Sequence, residues 1–189
     1  MAKDSLQSFV DKVEASWGDI STELIATVRT EMEKLVQTPM SEKWMADIVN
    51  EQPEDRDLWR NPKDPKYGRM LLVHTEAAGR YRPPHDHGQS WVIYGMVRGE
   101  VDMGTWIRVE EPNGEFRLVK REPNHLLPGQ VKVFLPGDIH DTRTLVGPAT
   151  ILRFTERDLI PEEREARRLK RYIQQDGAWI ERQPPQHAH

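Results

Sequence analysis

The sequence predicts a mainly β protein, an antiparallel barrel or sandwich with helices before it and one helix after it. Three observations indicate this. The first 50 residues carry apolar residues at helical spacing, short apolar stretches broken by glycine and proline follow from about residue 57, and the last segment is highly charged. We therefore divide the chain into a helical extension (1–56), a barrel (57–160), and a C-terminal helix with a polar tail (161–189).

The N-terminal segment contains two amphipathic helices and a shorter third one. The first apolar stripe consists of Leu6, Phe9, Val10, Val13 and Trp17. Asp4 or Ser5 can cap this helix, because both side chains accept hydrogen bonds from free backbone N–H groups. A second stripe runs from Leu24 to Leu35, and a third helix is predicted around "SEKWMADIV". We expect these helices to pack on the barrel.

The β segment is a series of short stretches rich in Val, Ile, Leu, Tyr and Trp. Examples are "GRMLLVHT", "SWVIYGMV", "VKVFLP" and "ATILRFTE", and turn residues such as "EPNGE" separate the stretches. Repeated strands at short spacing are typical of antiparallel barrels and sandwiches. The following stretch, "PEEREARRLKRYIQQ", is interpreted as a solvated helix because its acidic residues can pair with its basic ones.

Composition limits the functions to consider. The chain lacks cysteine, which excludes disulfides, thiolate zinc sites and a cysteine nucleophile. Its net charge of −4 gives no general attraction to nucleic acid, and no apolar run is long enough to span a membrane. Its first residues lack the apolar centre of a secretory signal. We expect a cytoplasmic protein whose metal ligands, if it binds a metal, are His, Asp or Glu, and whose assembly as a homo-oligomer stays open.

The stretch "PPHDHGQSW" holds the first candidate site. Residues i and i+2 of a strand point to the same face, so His85 and His87 can aim at one point. Neutral imidazole is a good ligand for iron, nickel, copper and zinc. Two histidines alone indicate either a metal site or two polar residues at the start of a strand.

The glycines around these histidines form a pattern. Gly79 stands six residues before His85, and Gly99 stands twelve after His87. This arrangement resembles the first signature motif of the cupin superfamily, which has a glycine, five residues, His-x-His, a glutamate and a second glycine. The resemblance implies a double-stranded β-helix barrel.

A second pattern follows in "GQVKVFLPGDIH". Gly129, Gly137 and His140 match the second cupin motif, while Leu135 and Thr144 replace its proline and asparagine. The resemblance covers roughly residues 57 to 156. It implies that His140 is the third metal ligand.

The glutamate ligand of the first motif would fall at Trp91 or Val92, and neither can bind a metal. The resemblance therefore implies a site of three neutral histidines. Such a site keeps the full charge of a divalent metal, which favours anionic substrates, and leaves coordination positions open. His74 and His125 are weaker candidates for a further ligand.

Among three-histidine cupins, the chain is most similar to the thiol dioxygenases of the cysteine dioxygenase type. Members bind Fe(II), use O2, and convert a thiol to its sulfinate. The resemblance implies Fe(II), with Ni, Zn or Mn as alternatives, and a small thiol carboxylate as substrate. Arg60 lies where the family has an arginine that clamps the substrate carboxylate, although an arginine in a surface loop is the alternative.

The end of the barrel departs from this family. Where the family has Ser-x-His-x-Tyr, this chain has Ile151, Arg153 and Thr155. Arg153 would place a cation beside the metal if it points inward, but a register shift by one residue would turn Phe154 inward instead. A cupin of other chemistry, a dioxygenase that cleaves C–C bonds or an isomerase, is therefore an alternative, as is a cupin that binds a ligand without turnover.

The remaining candidate residues follow the first motif. Val92 should face the cavity, since it occupies the place of the ligand glutamate, and Tyr94 should share that face. We expect Tyr94 to donate a hydrogen bond or act as acid–base at the metal, together with Arg153. Trp91 is a candidate for the substrate pocket, with core packing as the alternative.

Overall fold

A computed structural model describes residues 4–121 and 123–182. The polar tail lies outside the described residues. Three helices come first, α1 (Ser5–Ser16), α2 (Thr22–Leu35) and α3 (Lys43–Glu51). The strands that follow are β1 (Arg56–Arg60), β2 (Met70–Glu76), β3 (Tyr81–His85), β4 (Val92–Asp102), β5 (Thr105–Glu110), β6 (Phe116–Lys120), β7 (His125–Leu126), β8 (Val131–Phe134) and β9 (Ile139–Thr155). A fourth helix, α4 (Leu159–Arg164), precedes β10 (Arg171–Gln175) and β11 (Ala178–Arg182).

The helices begin where the sequence offers a cap. The Asp4 side chain accepts a hydrogen bond from the backbone N–H of Gln7 at the start of α1. Ser21 accepts one from the N–H of Leu24 at the start of α2. These bonds satisfy backbone donors that have no partner within the helix. Within the part of the chain that the structure describes, no helix has the length and apolar character needed to cross a membrane.

Strand β9 organises the barrel. It has 17 residues and pairs antiparallel with β2, β3, β4 and β5. Strand β4 also pairs with β7 and β8, which extends the sheet around the barrel. The predicted fold class, a mainly β double-stranded β-helix barrel with N-terminal helices, is confirmed.

Two apolar layers lie on the two sides of β4 and β9. The outer layer joins α1, α2 and α3 to the barrel and includes Trp91, Ile93 and Phe154. The inner layer includes Val92 and Tyr94. Because successive strand residues point to opposite faces, this division fixes which side chains can reach the inside of the barrel.

The charged helix predicted after Pro161 is present only in its first part. Helix α4 ends at Arg164, and residues 171 to 182 form a hairpin. Its turn residues, Asp176 and Gly177, both have positive φ, 50° and 84°, as a two-residue type I′ turn requires. Tyr172 is buried against the barrel, with 1% of its surface exposed. The predicted helix is wrong from residue 165 onward, and the Asp-Gly pair is the sequence feature that indicates the hairpin.

Candidate metal centre

Three buried histidines converge inside the barrel. The ligand nitrogens offered by His85, His87 and His140 all lie within 4.8 Å of one another. The exposed fractions of these side chains are 7%, 1% and 0%. His85 ends β3 and pairs directly with His140 on β9, so the sheet register itself brings the two signature motifs together.

The residue between the first two histidines points the other way. The carboxylate of Asp86 accepts hydrogen bonds from the backbone N–H groups of Gly88 and Lys170, at 3.0 and 2.8 Å. Its own N–H donates to the carbonyl of Lys170. Asp86 thus ties the C-terminal hairpin to the metal centre, while its two neighbours aim inward.

Further contacts orient the rings. Nδ1 of His85 lies 2.9 Å from the carbonyl oxygen of Pro83 and donates to it, which leaves Nε2 with a free lone pair. The ring of His140 stacks on Phe134, with the centroids 4.0 Å apart. Fixing a ligand ring through its second nitrogen or its face is the usual way in which proteins orient metal-binding histidines.

The histidines have the protonation state that a metal requires. Burial is the main cause that lowers the pKa of all three imidazoles, and Arg153 contributes at each of them. Repulsion from neighbouring histidines lowers the pKa of His87 and His140 further. The pKa of His85 falls to about 4. At neutral pH the three rings are therefore uncharged and can offer lone pairs.

The nitrogen arrangement also fits a metal. Nε2 of His87 lies 3.4 Å from Nε2 of His140, and the buried Nδ1 atoms of both rings have no hydrogen-bond partner. Two Nε2 atoms at this distance can share a proton in a hydrogen bond or bind the same cation. In the described part of the chain no carboxylate joins the group, so the site could hold a metal through three neutral nitrogen ligands.

A small cavity of about 180 Å³ opens beside this centre. His85, His87, Tyr94 and Arg153 belong to its lining. The Tyr94 hydroxyl lies 3.1 Å from Nε2 of His87. Burial raises the pKa of Tyr94, and the neighbouring Arg153 offsets part of that effect. The phenol therefore carries its proton at neutral pH.

The structure decides the strand register that the sequence left open. Arg153 is paired with Tyr94 across β4 and β9 and reaches the cavity. Phe154 points to the outer face, where its ring contacts Phe9 of α1 at 5.9 Å. Val92 is on the inner face with Tyr94, as expected, but it is fully buried among apolar side chains and does not line the cavity.

Two residues that the sequence predicted to contact the substrate, Arg60 and Trp91, do not line the cavity. The guanidinium of Arg60 forms ion pairs with Asp57 and Asp158 and is not part of the cavity lining. Trp91 is 1% exposed in the outer layer, where its ring stacks on Trp17 at 5.9 Å. Strand alternation explains the position of Trp91, since Val92 and Tyr94 take the inner face. Neither side chain is placed to contact a ligand in this cavity.

Further titratable residues line the cavity, and the sequence did not predict their place there. His74 and Glu76 on β2 line it, with Nε2 of His74 3.9 Å from the Glu76 carboxylate. Arg82 and Arg171 line it as well. The alternation of β2 could have indicated His74 and Glu76. Arg171 could not be found, because its segment was interpreted as a helix.

Comparisons with known proteins find only distant similarities. No family model matches this chain, and no curated protein matches it. Among solved structures, KdgF from Halomonas sp. is 16% identical over 55% of this chain and 77% of its own, with a TM-score of 0.42. BH2720 from Bacillus halodurans is 8% identical over 61% of this chain and 79% of its own, with a TM-score of 0.45.

An uncharacterised Klebsiella pneumoniae protein with a double-stranded β-helix domain is also similar. It is 15% identical over 57% of this chain and 78% of its own, with a TM-score of 0.39. Some matching chains are longer, and this chain spans 42% of one of them, an oxalate oxidase. Likenesses this distant say nothing about the chemistry of this chain.

Proposed function

We propose that this protein is a non-haem Fe(II)-dependent dioxygenase that oxidises a small thiol carboxylate with O2, as the thiol dioxygenases do. The observation that carries the proposal is the convergence of three neutral, buried imidazoles beside a cavity that also holds a phenol and a guanidinium. This donor set suits a divalent metal with open coordination positions.

His85, His87 and His140 would hold the metal through their nitrogens. Fe(II) held there would supply the redox chemistry for O2, and Ni, Zn or Mn are the alternative occupants. Three neutral ligands leave the charge of the ion uncompensated, which favours an anionic substrate. The overall reaction is R–SH + O2 → R–SO2H, in which sulfur is oxidised and both oxygen atoms of O2 end on it.

Tyr94 is the chain's own proton donor at this site. Its hydroxyl can donate to the lone pair on Nε2 of His87, 3.1 Å away. With that lone pair engaged in metal binding, the hydroxyl would be free to donate a hydrogen bond to the substrate. Its raised pKa keeps the proton on the phenol, so Tyr94 acts first as a hydrogen-bond donor.

The volume of the cavity limits the size of the substrate. Its volume of about 180 Å³ is below the range of most pockets for drug-sized ligands. Met103, Ile151, Leu159 and Leu169 supply an apolar wall. Polar groups in such a site act at low dielectric, where their effect on a charged substrate is larger than in water.

A second candidate function keeps the metal and changes the reaction. Arg153 stands where the thiol dioxygenases have a histidine, and Thr155 stands where they have a tyrosine. This departure favours a dioxygenase that cleaves C–C bonds in diketone-like substrates, or an isomerase. It is the alternative against which the first proposal must be tested.

The test is metal analysis of untagged protein, followed by oxygen uptake with iron-loaded protein. The substrates would be a panel of thiol carboxylates and a panel of diketones. We expect a product that gains two oxygens at sulfur. Diketone turnover, or no uptake with any thiol, would refute the proposal, and activity with another metal alone would correct the choice of iron.

A further inference from the structure

We propose that Arg153, and not Arg60, is the residue that binds the carboxylate of the substrate. This inference rests on the proposed function and assigns the substrate's anionic end to one side chain. It differs from the thiol dioxygenase pattern, in which an arginine at the position of Arg60 has this role.

Arg153 places a cation at the cavity. Its side chain reaches the cavity from β9, and it is partly buried. No carboxylate of the described residues forms an ion pair with it, and its buried Nε has no hydrogen-bond partner. A guanidinium presents donors in a planar fork that matches a carboxylate, so a guanidinium whose Nε–H has no partner suits an anionic ligand.

The other charged residues that line the cavity are either paired or exposed to solvent. Arg82 donates to Glu76 at 2.5 Å, and Arg171 donates to Glu163 at 2.7 Å. These two pairs cancel in charge. The remaining acidic residues that line the cavity, Glu54 and Asp55, are exposed to solvent, where water screens them.

His74 adds no charge at this end of the cavity. It is buried, and burial together with the neighbouring Arg153 lowers its pKa, so the ring is neutral at physiological pH. Its Nδ1 has no hydrogen-bond partner and can accept or donate one bond. The unpaired positive charge beside the metal centre therefore belongs to Arg153.

Arg60 is occupied by contacts of its own. Its guanidinium pairs with Asp57 and Asp158 and also donates to the carbonyl of Pro65 at 3.0 Å. Asp158 caps α4, so the ion pair of Arg60 with Asp158 joins β1 to the start of that helix. A substrate carboxylate would have to displace two protein carboxylates to reach Arg60.

The position of Arg153 also suits a compact substrate. Arg153 is the cross-strand neighbour of Tyr94, whose hydroxyl lies 3.1 Å from the ligand atom of His87. A short acid can therefore place one end at the metal centre and its carboxylate at Arg153 within a cavity of about 180 Å³. Holding both ends fixes the orientation of the reacting group.

The experiment measures binding and needs no turnover. Protein loaded with Co(II) is titrated without oxygen with 3-mercaptopropanoate and with its amide, 3-mercaptopropanamide, and the thiolate-to-Co(II) absorption is followed. We expect the wild type to bind the acid more tightly than the amide. Arg153→Gln should weaken binding of the acid by about 10- to 100-fold and leave the amide unchanged.

Two variants serve as controls. Arg153→Lys keeps the charge but loses the fork, so it should weaken acid binding less than Arg153→Gln does. Arg60→Gln should leave the affinity for both compounds unchanged. Equal affinity of the wild type for acid and amide, or a loss of acid binding in Arg60→Gln with none in Arg153→Gln, would overturn the inference. A thiol that binds in this way but is not oxidised by iron-loaded protein would refute the proposed function alone.

Discussion

Tyr94 and Arg153 face each other across β4 and β9, and the hydroxyl of Tyr94 reaches to 3.1 Å from a ligand nitrogen of His87. Tyr94 therefore lies between the three-histidine group and Arg153, the cation that lines the cavity. Tyr94 brings a phenol to the cavity from β4.

Replacing Tyr94 by phenylalanine tests this role. Tyr94→Phe keeps the ring in the inner layer, so the fold and the metal content should not change. The turnover number should fall about 100-fold, the scale of a lost proton donor, while the KM changes little. Steady-state oxygen uptake and metal analysis would measure both. A turnover number equal to that of the wild type would remove Tyr94 from the mechanism.

His140 should be essential for metal binding. Because three candidate ligands converge in the described part of the chain, loss of one leaves two nitrogens there, which cannot hold the ion at neutral pH. His140→Ala should therefore lose nearly all metal on dialysis, as measured by elemental analysis. His125→Ala, at an exposed position on β7, is the matched control and should retain full occupancy. Full occupancy in His140→Ala would refute the ligand assignment.

The sequence predicted the features that depend on local spacing. The His-x-His pair and the motif glycines placed His85, His87 and His140 in one group, and β2, β4 and β9 were recognised from their apolar stretches. What it could not predict depends on pairing between distant segments. Arg171 reaches the cavity because a C-terminal hairpin joins β3, and only the partners of Arg60 show that this side chain is occupied.

Trp91 should matter for stability rather than for substrate binding. Its ring is buried between Trp17 and Phe154, so truncation leaves a large cavity in the layer that joins the helices to the barrel. Trp91→Ala should lower the free energy of unfolding by about 3–5 kcal/mol, measured by urea denaturation. Phe154→Ala should have a similar effect. An unchanged stability with a raised KM would restore Trp91 to the substrate pocket.

Gly79 and Gly99 share a backbone conformation but differ in the space around them, so their substitution by alanine can be compared. Gly79 and Gly99 both have positive φ, 79° and 86°. A Cβ at Gly79 meets no atom within 4 Å, whereas one at Gly99 would lie 2.5 Å from the carbonyl oxygen of Val146. Gly79→Ala should cost about 1 kcal/mol from backbone strain alone, and Gly99→Ala should cost clearly more. Equal losses in urea denaturation would contradict the role assigned to the close approach at Gly99.

The metal-free protein should lose stability as the pH falls from about 6.5 to 4. The pKa of His85 is about 4 in the folded protein, because burial opposes its charged form, and about 6.5 in the unfolded chain. Between these values the unfolded state binds more protons, so the free energy of unfolding decreases with falling pH. His85 alone would account for about 3 kcal/mol across this window. His87 and His140, whose pKa values are also lowered, act in the same direction.

Urea denaturation of the metal-free protein at several pH values between 4 and 7 would measure this slope. Carboxylates also titrate in the acid part of the range, so the comparison is made with a variant. His85→Gln removes the imidazole and should give a flatter dependence than the wild type. His125→Gln changes an exposed imidazole and should keep the slope of the wild type. If His85→Gln and the wild type lost stability equally as the pH falls, His85 would not be a buried neutral ring in the folded protein. That result would also contradict its assignment as one of three metal ligands.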